Sequence, residues 1–193
     1  MKLKMCPASL RIAPVLIRST IVVLLSLVLT CTIPAHAEDQ TSEYKIKAVY
    51  LYNFTNFVSW PDSALPKDAQ SIKVCVLGKS PLGALLEPIS HMKSQGKAIT
   101  IENIEDIRAL EKKGCQILFI SASEQGAVAA LLRKTAPMHI LTVSDMEGFA
   151  EYGGIIGFVL KEGRVRLEVN LSAARQADLT ISAKLLEIAT VLP

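Results

Sequence analysis

Three short runs of apolar residues constrain the fold of this chain most. They lie at residues 72–77, 117–120 and 140–143, and each is followed by a turn. Runs of this length without polar alternation are typical of strands that are buried on both faces, as in a parallel sheet. Segments with helical spacing separate them, at 81–86, 104–113 and 124–135. The pattern predicts an α/β domain in which helices cover a sheet.

A different pattern follows near the end of the chain, where polar and apolar residues alternate strictly over 164–171. The polar members are Arg164, Arg166, Glu168 and Asn170. A period of two indicates a strand with one buried face and one open face, and the turn at 161–164 with its glycine makes that strand part of a hairpin. We therefore predict a single three-layer α/β domain, with a mixed, mostly parallel sheet and a C-terminal antiparallel hairpin. A final amphipathic helix is expected over 182–191.

The N-terminus has the order of a secretory signal peptide. Basic residues without acidic ones come first, an apolar run follows at 21–29, and Ala35-His36-Ala37 supplies a cleavage site. The prediction is a signal peptide over 1–37, cleaved after Ala37, and a mature periplasmic domain over 38–193. An uncleaved anchor and a lipoprotein signal at Cys31 are the alternatives. The mature chain is close to neutral, which argues against nucleic acid as a partner.

Two cysteines, Cys75 and Cys115, remain in the mature chain. In an oxidising compartment an even pair favours a disulfide. Two buried thiols that never meet are the alternative at this point, because sequence alone does not supply their separation.

Catalytic and metal-binding patterns are missing from the mature sequence. Its histidines, His91 and His139, have no second ligand at metal-binding spacing. Ser144 and Asp145 follow a predicted strand but have no base beside them, so Asp145 is predicted to cap the next turn. We therefore predict a protein that is not an enzyme and needs no metal or cofactor.

The first predicted helix, 41–58, carries a stripe of apolar and aromatic residues, with Lys45 and Lys47 off that stripe. A helix packed on the core is the simpler interpretation. Partial exposure of the stripe to a partner is the alternative.

The polar row from Arg164 to Asn170 also has two interpretations. It is a docking surface, or it is the solvated side of an edge strand whose charges discourage unwanted pairing. As a third possibility, the row lines a pocket for an amino acid or a related small molecule.

Four blocks of sequence resemble the YfiR family of periplasmic regulators, including its HmsC-like branch. They are YKIKAVYLYNFTNFVSWP at 44–61, IKVCVLG at 72–78, the pair CQILFIS and LTVSD at 115–121 and 141–145, and the tail at 153–189. The blocks occur in the family's order over nearly the whole mature chain.

The resemblance implies regulation rather than catalysis. Such proteins repress an inner-membrane diguanylate cyclase by binding its periplasmic sensor domain, and an outer-membrane lipoprotein can sequester the repressor. The family is also associated with homodimers and with a disulfide at the positions of Cys75 and Cys115. Its partner-contacting region matches Ile156, Glu168 and the stretch from Asn170 to Arg175. With the two arginines of the polar row, the expected partner-binding set is Ile156, Arg164, Arg166, Glu168, Asn170 and Arg175.

Overall fold

The computed structural model describes residues 36–193, with side chains from Gln40 onward except those of 111–112. The α-helices are α1 (His36–Phe57), α2 (Leu82–Leu85), α3 (Leu110–Lys113), α4 (Val128–Thr135), α5 (Leu171–Gln176) and α6 (Ala183–Leu186). The strands are β1 (Val58–Ser59), β2 (Ser71–Leu77), β3 (Lys93–Ser94), β4 (Lys97–Ile104), β5 (Ile117–Ile120), β6 (Leu141–Ser144), β7 (Ile156–Lys161), β8 (Arg164–Asn170), β9 (Thr180–Ile181) and β10 (Ala189–Leu192). Short 3-10 helices lie at 87–91, 107–109, 122–127 and 136–138.

Most of the predicted signal peptide lies outside these residues, so its cleavage after Ala37 stays a prediction. Within residues 36–193, no helix combines the length and the apolarity that a bilayer span requires.

Eight strands of the described region form one sheet, in the order β10-β8-β7-β6-β5-β2-β4-β3. Pairing is parallel from β4 through β2, β5 and β6 to β7. It is antiparallel between β7 and β8, which form the C-terminal hairpin, and between β3 and β4 at the far edge. The predicted α/β class, with its mostly parallel sheet and its hairpin, is confirmed.

Helices cover the sheet on both faces, which gives the three layers. Phe54 of α1 and Leu185 of α6 are buried in a cluster on one face. Leu110 of α3, Leu131 of α4 and the strand residue Leu118 are buried in a second cluster on the other face. Alternate residues of β2 enter the two clusters, as the two-residue period of a strand requires.

The structure corrects the predicted orientation of the first helix. Lys47, placed off the apolar stripe by the sequence pattern, is buried with 4% of its surface exposed. Ile46 and Val49, placed on the stripe, are 47% and 57% exposed. The helix is apolar on more than one side, so spacing alone does not identify which side meets the sheet.

The predicted C-terminal helix over 182–191 is wrong after its first turn. Ser182 caps α6 through its Oγ, which accepts a hydrogen bond from the Leu185 N–H at 3.4 Å. The chain then leaves the helix and pairs in parallel with β8, from Ala189 opposite Leu167 to Leu192 opposite Asn170. The open backbone groups of β8 supply partners that the sequence pattern does not reveal, and a β-branched Thr-Val pair suits a strand.

A disulfide joins Cys75 of β2 to Cys115, which lies two residues before β5, across a Cα–Cα distance of 5.9 Å. Both residues are buried, with 0% and 4% of their surfaces exposed. The pairing favoured from the sequence is therefore present in the structure, and it links β2 to the segment that leads into the neighbouring strand β5.

Candidate partner-binding face

The polar row lies on one face of the hairpin. In the β7–β8 register Glu168 is opposite Gly157, Arg166 opposite Val159 and Arg164 opposite Lys161, so these side chains point the same way. The alternate residues face α1 and are buried. Rings of Tyr50, Phe54 and Phe158 hold the hairpin against α1, with centroids 5.9 to 6.2 Å apart.

Strand β8 is not the edge of the sheet along its second half. There β10 pairs with residues 167–170, and only the stretch with Arg164 and Arg166 precedes that pairing. The edge-strand interpretation of the row therefore does not hold for Glu168 and Asn170.

Charges along the row differ in how they are compensated. The Glu168 carboxylate, on a side chain that is 15% exposed, accepts from Lys161 Nζ at 3.4 Å. Arg164 and Arg166 are exposed and form no ion pair with any carboxylate of the described region. The hairpin therefore presents two unpaired guanidinium groups to solvent.

Asn170 has a structural role in this position. Its Oδ1 accepts from the Ala173 N–H at 2.8 Å and caps α5, while its Nδ2 donates to the Ala150 carbonyl at 2.8 Å. Both bonds use side-chain groups that a docking contact would need.

The remaining expected contacts do not form one cluster with the row. Ile156, the first residue of β7, is fully buried. Arg175 lies on α5, where its Nη2 donates to Ser172 Oγ at 3.2 Å. Arg164 and Asn170, at opposite ends of β8, are about 20 Å apart at the usual rise of a strand. The exposed part of the expected set is thus Arg164, Arg166 and Arg175, with Glu168 and Asn170 partly exposed.

A groove of about 650 Å³ runs between the hairpin and the turn that follows β6. Its lining comprises Gln125, Asp145, Glu147, Gly148, Glu151, Tyr152, Phe158, Val159, Leu160, Lys161 and Glu168. Tyr152 and Leu160 are 74% and 60% exposed. Sequence reasoning missed both, because an apolar residue beside a turn carries no pattern that separates exposure from burial.

Two glycines shape the turn that forms one wall of the groove. Gly153 has a φ of +99°, in the region that favours glycine. A Cβ on Gly154 would lie 2.1 Å from the Phe149 ring, so only glycine allows that ring to pack there. Gly153 is therefore needed for the backbone conformation of the turn, and Gly154 for the packing of the Phe149 ring.

Asp145, which lines the groove, does not cap the turn as predicted. Ser144 takes that role, since its Oγ accepts from the Met146 N–H at 3.1 Å. Asp145 instead accepts from Lys47 Nζ at 2.7 Å, and the same Nζ lies 2.5 Å from Glu43. The buried lysine therefore joins α1 to the end of β6.

Tyr44 completes this polar cluster. Lys47 Nζ lies 4.4 Å from the centroid of its ring. Burial, and then the charge of Asp145 together with a hydrogen bond to it, raise the pKa of the Tyr44 hydroxyl to about 12. Among the described residues, no group of three or more His, Cys, Asp or Glu side chains is placed to hold a metal ion.

Two solved structures resemble this fold weakly. A conserved domain protein from Vibrio cholerae O1 biovar El Tor is 14% identical with a TM-score of 0.49, over 75% of this chain and 59% of that chain. The ABC domain in complex with L-Trp from Streptococcus pneumoniae is 10% identical with a TM-score of 0.47, over 68% of this chain and 58% of that chain. At these TM-scores neither likeness bears on function. No curated protein matches the sequence.

Residues 44–190 match the model of the DUF4154 family, which is described as YfiR/HmsC-like. This stretch contains the disulfide, the hairpin and the groove. The family consists of periplasmic regulators that act with partner proteins in cyclic-di-GMP signalling, and it is regulatory rather than catalytic. The chain therefore belongs to the YfiR/HmsC-like family.

Proposed function

We propose that this protein represses an inner-membrane diguanylate cyclase by binding the periplasmic sensor domain of that enzyme. Family membership supports the regulatory role, and the observation that carries the binding face is the pair of unpaired, exposed guanidinium groups of Arg164 and Arg166. Arginine side chains on a surface without internal partners are available for carboxylates of another protein.

Repression needs no chemistry in this chain. The protein binds the inactive conformation of the sensor more tightly than the active one, and so shifts the sensor towards the inactive state. The shift is limited by the difference between the two binding free energies. The signal peptide over 1–37 delivers the domain to the periplasm, and a sequestering outer-membrane lipoprotein releases the cyclase by competing for the repressor.

Cellular cyclic-di-GMP tests this proposal. Deleting the gene should raise the cellular concentration of cyclic-di-GMP, and the wild-type gene should restore the low concentration. A chain with Arg164→Glu and Arg166→Glu should reach normal abundance without restoring it. Lys67→Glu, which reverses an exposed cation outside the hairpin, is the matched control and should restore repression. An unchanged cyclic-di-GMP concentration in the deletion strain would refute the proposed repression. Full repression by the double variant would refute docking through Arg164 and Arg166.

A homodimer is part of the proposal, and α1 supplies a surface for it. Ile46 and Val49 form an exposed apolar ridge, beside which Lys45, Tyr50 and Asn53 line a shallow cavity of about 420 Å³. Contiguous exposed apolar side chains favour contact with a second protein surface. Sedimentation of the mature chain should show a dimer that Val49→Lys dissociates.

The matched control for that measurement is Val191→Lys, which places the same charge on an exposed valine of β10. Dissociation by both variants, or by neither, would count against the α1 interface.

The groove favours a second candidate function, binding of a small molecule. Its volume of about 650 Å³ lies within the range typical of ligand sites. A ligand that binds the folded chain raises the melting temperature in proportion to the logarithm of its concentration. Thermal stabilisation by amino acids or amines is therefore the measurement that separates this candidate from protein binding.

A further inference from the structure

We infer that the groove between the hairpin and the turn after β6 receives a segment of the partner protein in which a lysine or arginine adjoins a large apolar residue. The inference rests on the proposed function, which makes the partner a protein. It adds the kind of side chains that the partner must present and the groove in which they bind.

The charge of the groove identifies the cationic part of that segment. Four carboxylates line it, and two of them are compensated, Asp145 by Lys47 and Glu168 by Lys161. Glu147 and Glu151 are exposed and form no ion pair within residues 40–193. One wall of the groove therefore carries negative charge that no side chain of the described region neutralises.

The apolar part follows from Tyr152 and Leu160. They are among the most exposed large apolar side chains of the described region, at 74% and 60%, and both line this groove. Such residues cluster at protein contact sites and are common anchors of binding energy. The Tyr152 ring also offers a face to a cation that approaches Glu151. The pairing of charge and ring fits a basic side chain better than it fits a neutral one.

The two arginines of the hairpin set the orientation of the partner. Arg164 and Arg166 do not line the groove, although their strand contributes Glu168 to it. The partner should therefore present its basic segment to the groove and acidic residues to the exposed end of β8. Opposite charges at two neighbouring positions suppress the reversed docking pose, because that pose would bring like charges together.

Calorimetric titration with the purified periplasmic domain of each membrane diguanylate cyclase from the same genome tests this inference. Glu147→Gln combined with Glu151→Gln should weaken binding about tenfold and reduce its salt dependence. Tyr152→Ala should weaken binding by about the same factor, since it removes an exposed anchor. Tyr152→Phe keeps the ring and should bind almost as the wild type does.

Asp62→Asn is the control for lost negative charge, because Asp62 is exposed and lies in the loop after β1, outside the groove. It should leave the affinity unchanged. Far-ultraviolet circular dichroism of each variant checks that the fold is intact.

The outcomes separate the inference from the proposed function. If no sensor domain binds the wild-type chain, both are wrong. If Arg166→Glu weakens binding while the groove variants bind normally, docking through the hairpin arginines is supported and the groove inference is overturned. Spermidine and L-arginine are the small-molecule probes. Stabilisation by either at micromolar concentration, abolished by the Glu147 and Glu151 variants, would assign the groove to a small cation and would also overturn the inference.

Discussion

Reducing the Cys75–Cys115 disulfide should destabilise the domain strongly. The bond closes a loop with a sequence separation of 40 residues. On the chain-entropy estimate, a loop of that length restricts the unfolded state by about 4 kcal/mol. For a domain of this size, such a loss lowers the melting temperature by roughly 10 °C.

Urea unfolding of the mature chain, oxidised and reduced, measures the difference. Both cysteines are buried, so the chain must be reduced while unfolded and then refolded in reductant. A chain with Cys75→Ala and Cys115→Ala gives an independent value without reductant. In cells, Cys75→Ser should lower the abundance of the protein and raise cyclic-di-GMP. Equal unfolding midpoints for the oxidised and reduced chains, or normal abundance and repression by Cys75→Ser, would refute this account of the bond.

Three further predictions concern the polar contacts that position the site. Lys47→Met should lower the unfolding free energy measured in urea by about 3 kcal/mol, because it leaves the 11% exposed Asp145 side chain without its counter-ion. Adding Asp145→Leu should recover most of that loss. If the double variant is no more stable than Lys47→Met, the buried ion pair is contradicted. Asn170→Ala should cost about 1 to 2 kcal/mol, since α5 loses its cap and the Ala150 carbonyl its donor; an unchanged urea midpoint would show that the contacts are dispensable. The pKa of Tyr44 in the folded chain is raised from 10.0 to about 12. The stability that this shift contributes is therefore complete below pH 10 and is lost as the pH rises through about 12. Tyr44→Phe should flatten the curve of unfolding free energy against pH in that range, and an unaltered slope would contradict the shift.

The sheet was predictable because its strands obey simple periodicities. Continuous apolar runs correspond to β2, β5 and β6, which are buried on both faces, and strict alternation corresponds to β8. Successive side chains of a strand point to opposite faces, so a strand buried on both faces is apolar throughout and a strand buried on one face alternates. The same reasoning placed Arg164, Arg166 and Glu168 on a shared face.

Features that depend on a distant partner were not predictable. Lys47 is buried because Asp145 and Glu43 neutralise its charge. Asp145 lies 98 positions further along the chain, so local sequence spacing does not predict this contact. Residues 189–192 become β10 because β8 leaves an unpaired side. Tertiary pairing outweighs local helical spacing in such a segment.

Photocrosslinking in the living bacterium tests the central claim most directly. A benzoylphenylalanine in place of Arg166 should crosslink, on irradiation, to the periplasmic domain of an inner-membrane diguanylate cyclase. The same group in place of Asp62, outside the hairpin face, should not crosslink to that enzyme. Repression with no crosslink from position 166, or equal crosslinking from both positions, would contradict docking through the hairpin face.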